Sequence, residues 1–161
     1  MTDNALPAQK LLLDYVSPDR TKAWKVVAAY MWPSDLRASI EEDGRSVLQA
    51  TLWTDEVTFT RWEDSYTAGD NRQVAWLIDH YMVRKNGNEF ITPNNGGKDG
   101  RMFIIDPDVM VTKELYLSAA FTTESAVSPE RSWSYMIVLE EIKVSPSQSL
   151  FQQIKGMGQN V

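Results

Sequence analysis

A chain of 161 residues, 43% hydrophobic and 24% charged, is long enough for one domain with a real core, burying ~70% of the surface that its unfolded form exposes. A formal net charge of -6 excludes the clustered basic footprint that phosphate neutralisation requires, and with it an ordinary nucleic-acid binder. The absence of cysteine excludes disulfide scaffolds, thiolate metal sites and thiol nucleophiles together.

The opening stretch MTDNALPAQKLLLDYV has no charged segment leading into an apolar run of signal-peptide length, and nowhere do 18 consecutive apolar residues occur. A soluble protein without a cleavable signal or membrane span is expected. Residues 1–20 read as an N-terminal arm or short helix: Leu11, Leu12, Leu13 and Val16 supply apolar positions, and Pro7 is tolerated in a first helical turn.

TKAWKVVAAYMW is a long strand by alternation, with Trp24, Val26, Ala28, Tyr30 and Trp32 on one face and Val27, Ala29 and Met31 on the other. After Pro33, a turn through EEDGR leads to the strand SVLQATLW. EVTFTRW reads as a further short strand, EDSYTAGDN as a polar loop, and QVAWLIDHYMVR as another long strand with an apolar middle. Asn86 and Gly87 then separate that strand from NEFIT, as a two-residue type I′ hairpin would. RMFII and VMVTKELYLSAAF are extended in turn, and WSYMIVLEEIKV is apolar on both faces at its start and half-polar at its end. Ser145 as N-cap, Pro146 at N1 and Gln148 at N3 open a C-terminal helix by the capping-box arrangement, with Gly156 near its end.

About eight strands, with turns at short intervals and no regular alternation with long helices, predict an all-β, single-domain antiparallel β-sandwich with short terminal helices. The sandwich spans residues 21–145, and residues 146–161 form the C-terminal helix and tail. A strand in such a fold has one face in the core and normally shows the other to water. Several strands here are apolar on the second face as well, so terminal helices or neighbouring subunits are expected to cover them.

Signals for chemistry are weak. His80 is the one histidine, and its neighbour Asp79 points to the opposite face of a strand, so the pair reads as packing rather than catalysis. Asp106 and Asp108 flank Pro107 in a turn, with too few oxygen ligands for calcium. NNGGKDG lacks the spacing of a phosphate loop and reads as a surface loop. No catalytic, metal or cofactor site is expected, and the chain is read as a non-enzyme.

The candidates that remain are apolar. Trp32, Trp53 and Trp62 stand near strand ends, where an indole serves an interface or ligand as well as a core. Leu150, Phe151 and Ile154 make the apolar stripe of the C-terminal helix, expected to be buried and, with the three tryptophans, to form interfaces.

From TKAWKVVAAYMW through WSYMIVLEEIKV, the number and pattern of strands resemble those of single jelly-roll viral capsid proteins. That resemblance implies a structural subunit that self-assembles into a virion shell or similar symmetric assembly, as capsid or decoration protein. It also implies homo-oligomeric partners and location in the virion. Many such proteins carry a basic N-terminal arm for the genome, whereas Lys10, Arg20, Lys22 and Lys25 are here offset by Asp3, Asp14 and Asp19, which argues against direct genome contact. The alternative is a monomeric ligand-binding β-sandwich such as a carbohydrate-binding module, which requires a planar row of exposed aromatics.

Overall fold

A computed structural model describes residues 7–15, 20–34, 44–60, 70–83, 90–91, 101–123 and 132–157. The strands are β1 (Ala8–Asp14), β2 (Lys22–Pro33), β3 (Gly44–Trp53), β4 (Gln73–Val83), β5 (Phe90–Ile91), β6 (Arg101–Met102), β7 (Ile104–Ile105), β8 (Glu114–Thr123) and β9 (Trp133–Lys143), followed by helix α1 (Pro146–Met157). They form two antiparallel sheets. Sheet A runs β1-β8-β3-β4-β5, with β7 also on β4, and sheet B runs β6-β2-β9. The molecule is thus an all-β sandwich with one short helix. Its described strands divide six and three.

The core lies between the sheets. Leu48, Ala50 and Leu52 of β3, Ala75 and Leu77 of β4, and Leu115 and Leu117 of β8 meet Val26, Ala29 and Met31 of β2. Trp133, Tyr135, Ile137 and Leu139 of β9 pack against this cluster from the edge. The sheets are joined at Phe103, which is buried between β6 and β7 and donates its N–H to Ala29 O at 2.9 Å. Reciprocal 2.8 Å bonds between the backbones of Trp24 and Val111 join them again at one end.

Strict alternation does not hold in β2. The register with β9 shifts between Val26 and Ala28, leaving Val27 as an extra residue. A bulge of this kind moves all later side chains to the opposite face. The core side chains are therefore Trp24 and Val26 before the bulge and Ala29 and Met31 after it, while Ala28, Tyr30 and Trp32 turn outward.

Three further expectations meet corrections. Residues 8–14, left open between arm and helix, are extended and pair with β8, so the sandwich begins before residue 21. Residues 56–60, expected as a strand, carry none; they fold over the outer face of sheet A. Phe59 is buried there against Trp53, with ring centroids 5.9 Å apart. The Gln9 carboxamide, oriented to satisfy both partners, donates to Val57 O and accepts from Val57 N at 3.2 Å each. The third is Trp53 itself. It is 0% exposed and its Nε1–H donates to Ser118 Oγ at 2.8 Å, so it belongs to the packing beneath this strap and not to an interface.

The register of β4 with β5, Val83 opposite Phe90 and Met82 opposite Ile91, is the one that a two-residue turn at Asn86 and Gly87 requires. The turn itself lies outside the described residues. At the other end of the chain the capping box is formed: Ser145 Oγ accepts from Gln148 N at 3.2 Å, and Gln148 Oε1 accepts from Ser145 N at 3.0 Å.

Trp53→Ala is expected to lower stability by about 3–5 kcal/mol, because a filled site beneath the strap becomes a cavity. Trp53→Phe, which keeps a ring but leaves Ser118 without its donor, is expected to lose about 1–3 kcal/mol. Urea unfolding of the two variants measures both; a wild-type midpoint for Trp53→Ala contradicts the buried placement.

Candidate functional site

Antiparallel register places directly opposed residues on one face. On the outer side of sheet B, Tyr30 of β2 stands between Met102 of β6 and Met136 of β9. Ala28 lies opposite Val138 and Trp32 opposite Ser134. The bulged Val27 adds a further apolar group. Val27, Trp32, Met102, Met136 and Val138 are between 37% and 63% exposed, and together they form one apolar patch across three strands. Its ends are polar: at one, Ser34 Oγ and Ser134 Oγ are 2.6 Å apart, and at the other Lys25 stands opposite Glu140 in the ladder. An apolar centre with a polar rim is the anatomy of an interaction surface.

The second apolar surface is on α1. Leu150, Phe151 and Ile154 were expected in a buried stripe, yet they are 44%, 59% and 50% exposed. The helix rests on its polar side instead. Ser149 is buried, and Gln152 and Gln153 line a cavity of about 230 Å³ with Thr54, Asp55, Asn71, Val109, Met110, Thr112 and Lys113. Of the six interface candidates, Trp32 lies on the open sheet and Leu150, Phe151 and Ile154 on the open helix face. Trp53 is internal, and Trp62 lies outside the described residues.

An ion pair flanks Asn71 in sequence. Arg72 donates from Nε to Asp70 Oδ1 at 3.0 Å and from Nη2 to Asp70 Oδ2 at 2.6 Å, and its backbone N–H also reaches Oδ1. Arg72 O accepts from Thr54 N at 2.9 Å, which ties the pair to the start of the strap. Burial pushes the Asp70 carboxyl up, but the Arg72 hydrogen bonds and charge outweigh it and hold the group below its ordinary value. Lys113, at the rim, is raised by its hydrogen bond and charge pairing with Glu114.

The residues considered for chemistry do not converge. His80 is exposed and Asp79 buried on the core side of β4 opposite Leu48, and His80 N donates to Asp79 Oδ1 at 3.0 Å. Asp106 Oδ1 accepts from Asp108 N at 2.9 Å, the bond of a local turn. The NNGGKDG segment lies outside the described residues. Among the described residues no group of three or more His, Asp or Glu side chains is placed to hold a metal ion, and no helix is long and apolar enough to cross a membrane.

No protein-family model matches the chain, and comparisons with curated proteins and with solved structures found no match. Sequence reasoning did not find Met102, Met136 and Val138, although the apolar second face of WSYMIVLEEIKV was the signal that pointed to two of them.

Because the folded pKa of Asp70 is depressed, its contribution is fully present above the unfolded carboxylate range, near ~3.9, and is lost as pH falls through the lower folded value. Asp70→Ala is expected to cost about 1.5–3 kcal/mol at neutral pH, with the gap to wild type closing in acid. Thermal melts from pH 7 to pH 2.5 test this; a gap that does not change with pH contradicts it.

Proposed function

We propose that this protein is a structural subunit that self-assembles through its exposed apolar faces, as a capsid or decoration protein of a virion shell or a similar symmetric assembly does. The single observation carrying this reading is the open face of sheet B: a patch of five large apolar side chains with polar ends, on a chain whose other sheet is covered by its own strap. Isolated exposed leucines or valines are ordinary, but a contiguous apolar face is the usual mark of an interaction site. The composition of the patch separates this reading from a carbohydrate-binding module. Sugar platforms stack pyranose rings on aromatic planes, whereas this face consists of methionine and valine with one tryptophan and one tyrosine. Methionine is the more adaptable side chain and packs against protein surfaces of varied shape.

The role proposed is binding and not catalysis. The acidic charge of -6 fits a subunit that leaves the neutralisation of any nucleic acid to another component.

Sedimentation velocity across concentrations from about 1 to 50 μM tests the reading. The chain has a mass of 18.3 kDa. A species of several times that mass is expected, growing with concentration and persisting at high salt because apolar contacts resist screening. A strict 18.3 kDa monomer at every concentration overturns it.

A further inference from the structure

Resting on the self-assembly reading, we infer that the open face of sheet B binds the same face of a second copy, about a two-fold axis that runs along the strands between β2 and β9. Such an axis exchanges the two strands, so β2 of each copy lies over β9 of the other. Complementarity within the ladder is the first argument. The outward pairs are Lys25 with Glu140, Ala28 with Val138, Tyr30 with Met136 and Trp32 with Ser134. Exchange of strands sets Val138 of one copy over Ala28 of the other and the Trp32 indole over Ser134, large on small each time. It also sets the Met136 thioether over the Tyr30 ring, a favourable sulfur–aromatic contact. The face is its own counterpart.

Charge is the second argument. Lys25 of each copy comes over Glu140 of the other, so two ion pairs close one end of the contact. Facing sheets stand ~10 Å apart with strand directions within about 30° of each other, a gap that a lysine and a glutamate side chain bridge together. A two-fold axis across the strands instead lays the Lys25–Glu140 end over the uncharged Ser34–Ser134 end.

Area is the third. Val27, Trp32, Met102, Met136 and Val138 are 37% to 63% exposed and leave on the order of 400 Å² of apolar side chain in water, taking ~150–250 Å² for a whole large side chain. Two copies bury on the order of 800 Å² of such surface, close to the apolar share, a little over half, of a stable ~1,600 Å² interface. A contact of this kind is closed, each pair occurring twice, and the dimer becomes the unit from which a larger assembly grows through other surfaces.

Charge exchange tests the axis. Lys25→Glu places glutamate over glutamate, and Glu140→Lys places lysine over lysine, so each variant alone is expected to associate at least about 10-fold more weakly than wild type in sedimentation velocity. Mixed in equal amounts the two are expected to form a one-to-one heterodimer, because every lysine again lies over a glutamate. Lys25→Glu with Glu140→Lys in one chain is expected to associate as wild type does. Met136→Asp with Val138→Asp blocks the apolar centre and is expected to abolish the dimer, with Met136→Ser and Val138→Ser as the milder counterpart. Circular dichroism with a thermal melt checks that each variant is folded, and recovery on mixing is a readout that a merely weakened fold does not give. Single charge variants that associate like wild type, a mixture no tighter than its parts, or a Met136→Asp with Val138→Asp variant that still dimerises overturns the face-to-face contact and leaves self-assembly standing. A monomeric wild type overturns both.

Discussion

The extra residue at Val27 decides which side of β2 is core. Without that shift, period-two geometry would carry Ala28, Tyr30 and Trp32 inward with Trp24 and Val26, and would turn Ala29 and Met31 out. With it, two small or flexible side chains fill the space beneath sheet B where two aromatic rings would otherwise have to fit, and the rings go to the outside. The packed interior and the apolar exterior are consequences of the same backbone irregularity. Bulges also increase local twist, and here the twist falls in the strand that pairs with both neighbours in sheet B.

The two sheets differ in how their outer faces are treated. Sheet A is covered on both sides: the core lies within, and the segment after β3 crosses its outside, held by Phe59 on Trp53, by Gln9 on Val57 and by the Asp70–Arg72 pair at its root. Thr51 and Ser118 are consequently buried on a face that would ordinarily be wet, and Ser118 has the indole of Trp53 as its partner. No described segment crosses sheet B in this way. Its outer face carries valine and methionine side chains and stays exposed.

Much of the architecture was legible in sequence because it depends on local periodicity. The long strands, the Ser145 capping box and the pairing of Val83 with Phe90 follow from residues near one another. What was not legible depends on distant contacts. Val26 and Val27 are both β-branched, so nothing in their chemistry marks one as surplus to the ladder. Glu56 to Thr60 has strand composition, but its edges find the side chains of β1 and β3 in place of a neighbouring ladder. In α1 the stripe of Leu150, Phe151 and Ile154 could be seen, but not which side would face the body. The side that faces the body lies beside residues some forty to a hundred positions earlier, which local sequence does not reveal. Trp32 and Trp53 both stand at strand ends, and only the strap separates an exposed indole from a sealed one.

The two halves of the open face come from opposite ends of the chain. Ser34 and Ser134, which touch at its rim, are 100 positions apart, and among the described strands β9 is hydrogen-bonded to β2 alone. Closing so wide a loop carries a larger entropic cost than closing a local hairpin. A nascent chain that has not yet released β9 can form the β3–β4 hairpin while β2 still waits for its main partner. The apolar surface of sheet B is therefore complete only when β9, the last strand in the chain, lies beside β2.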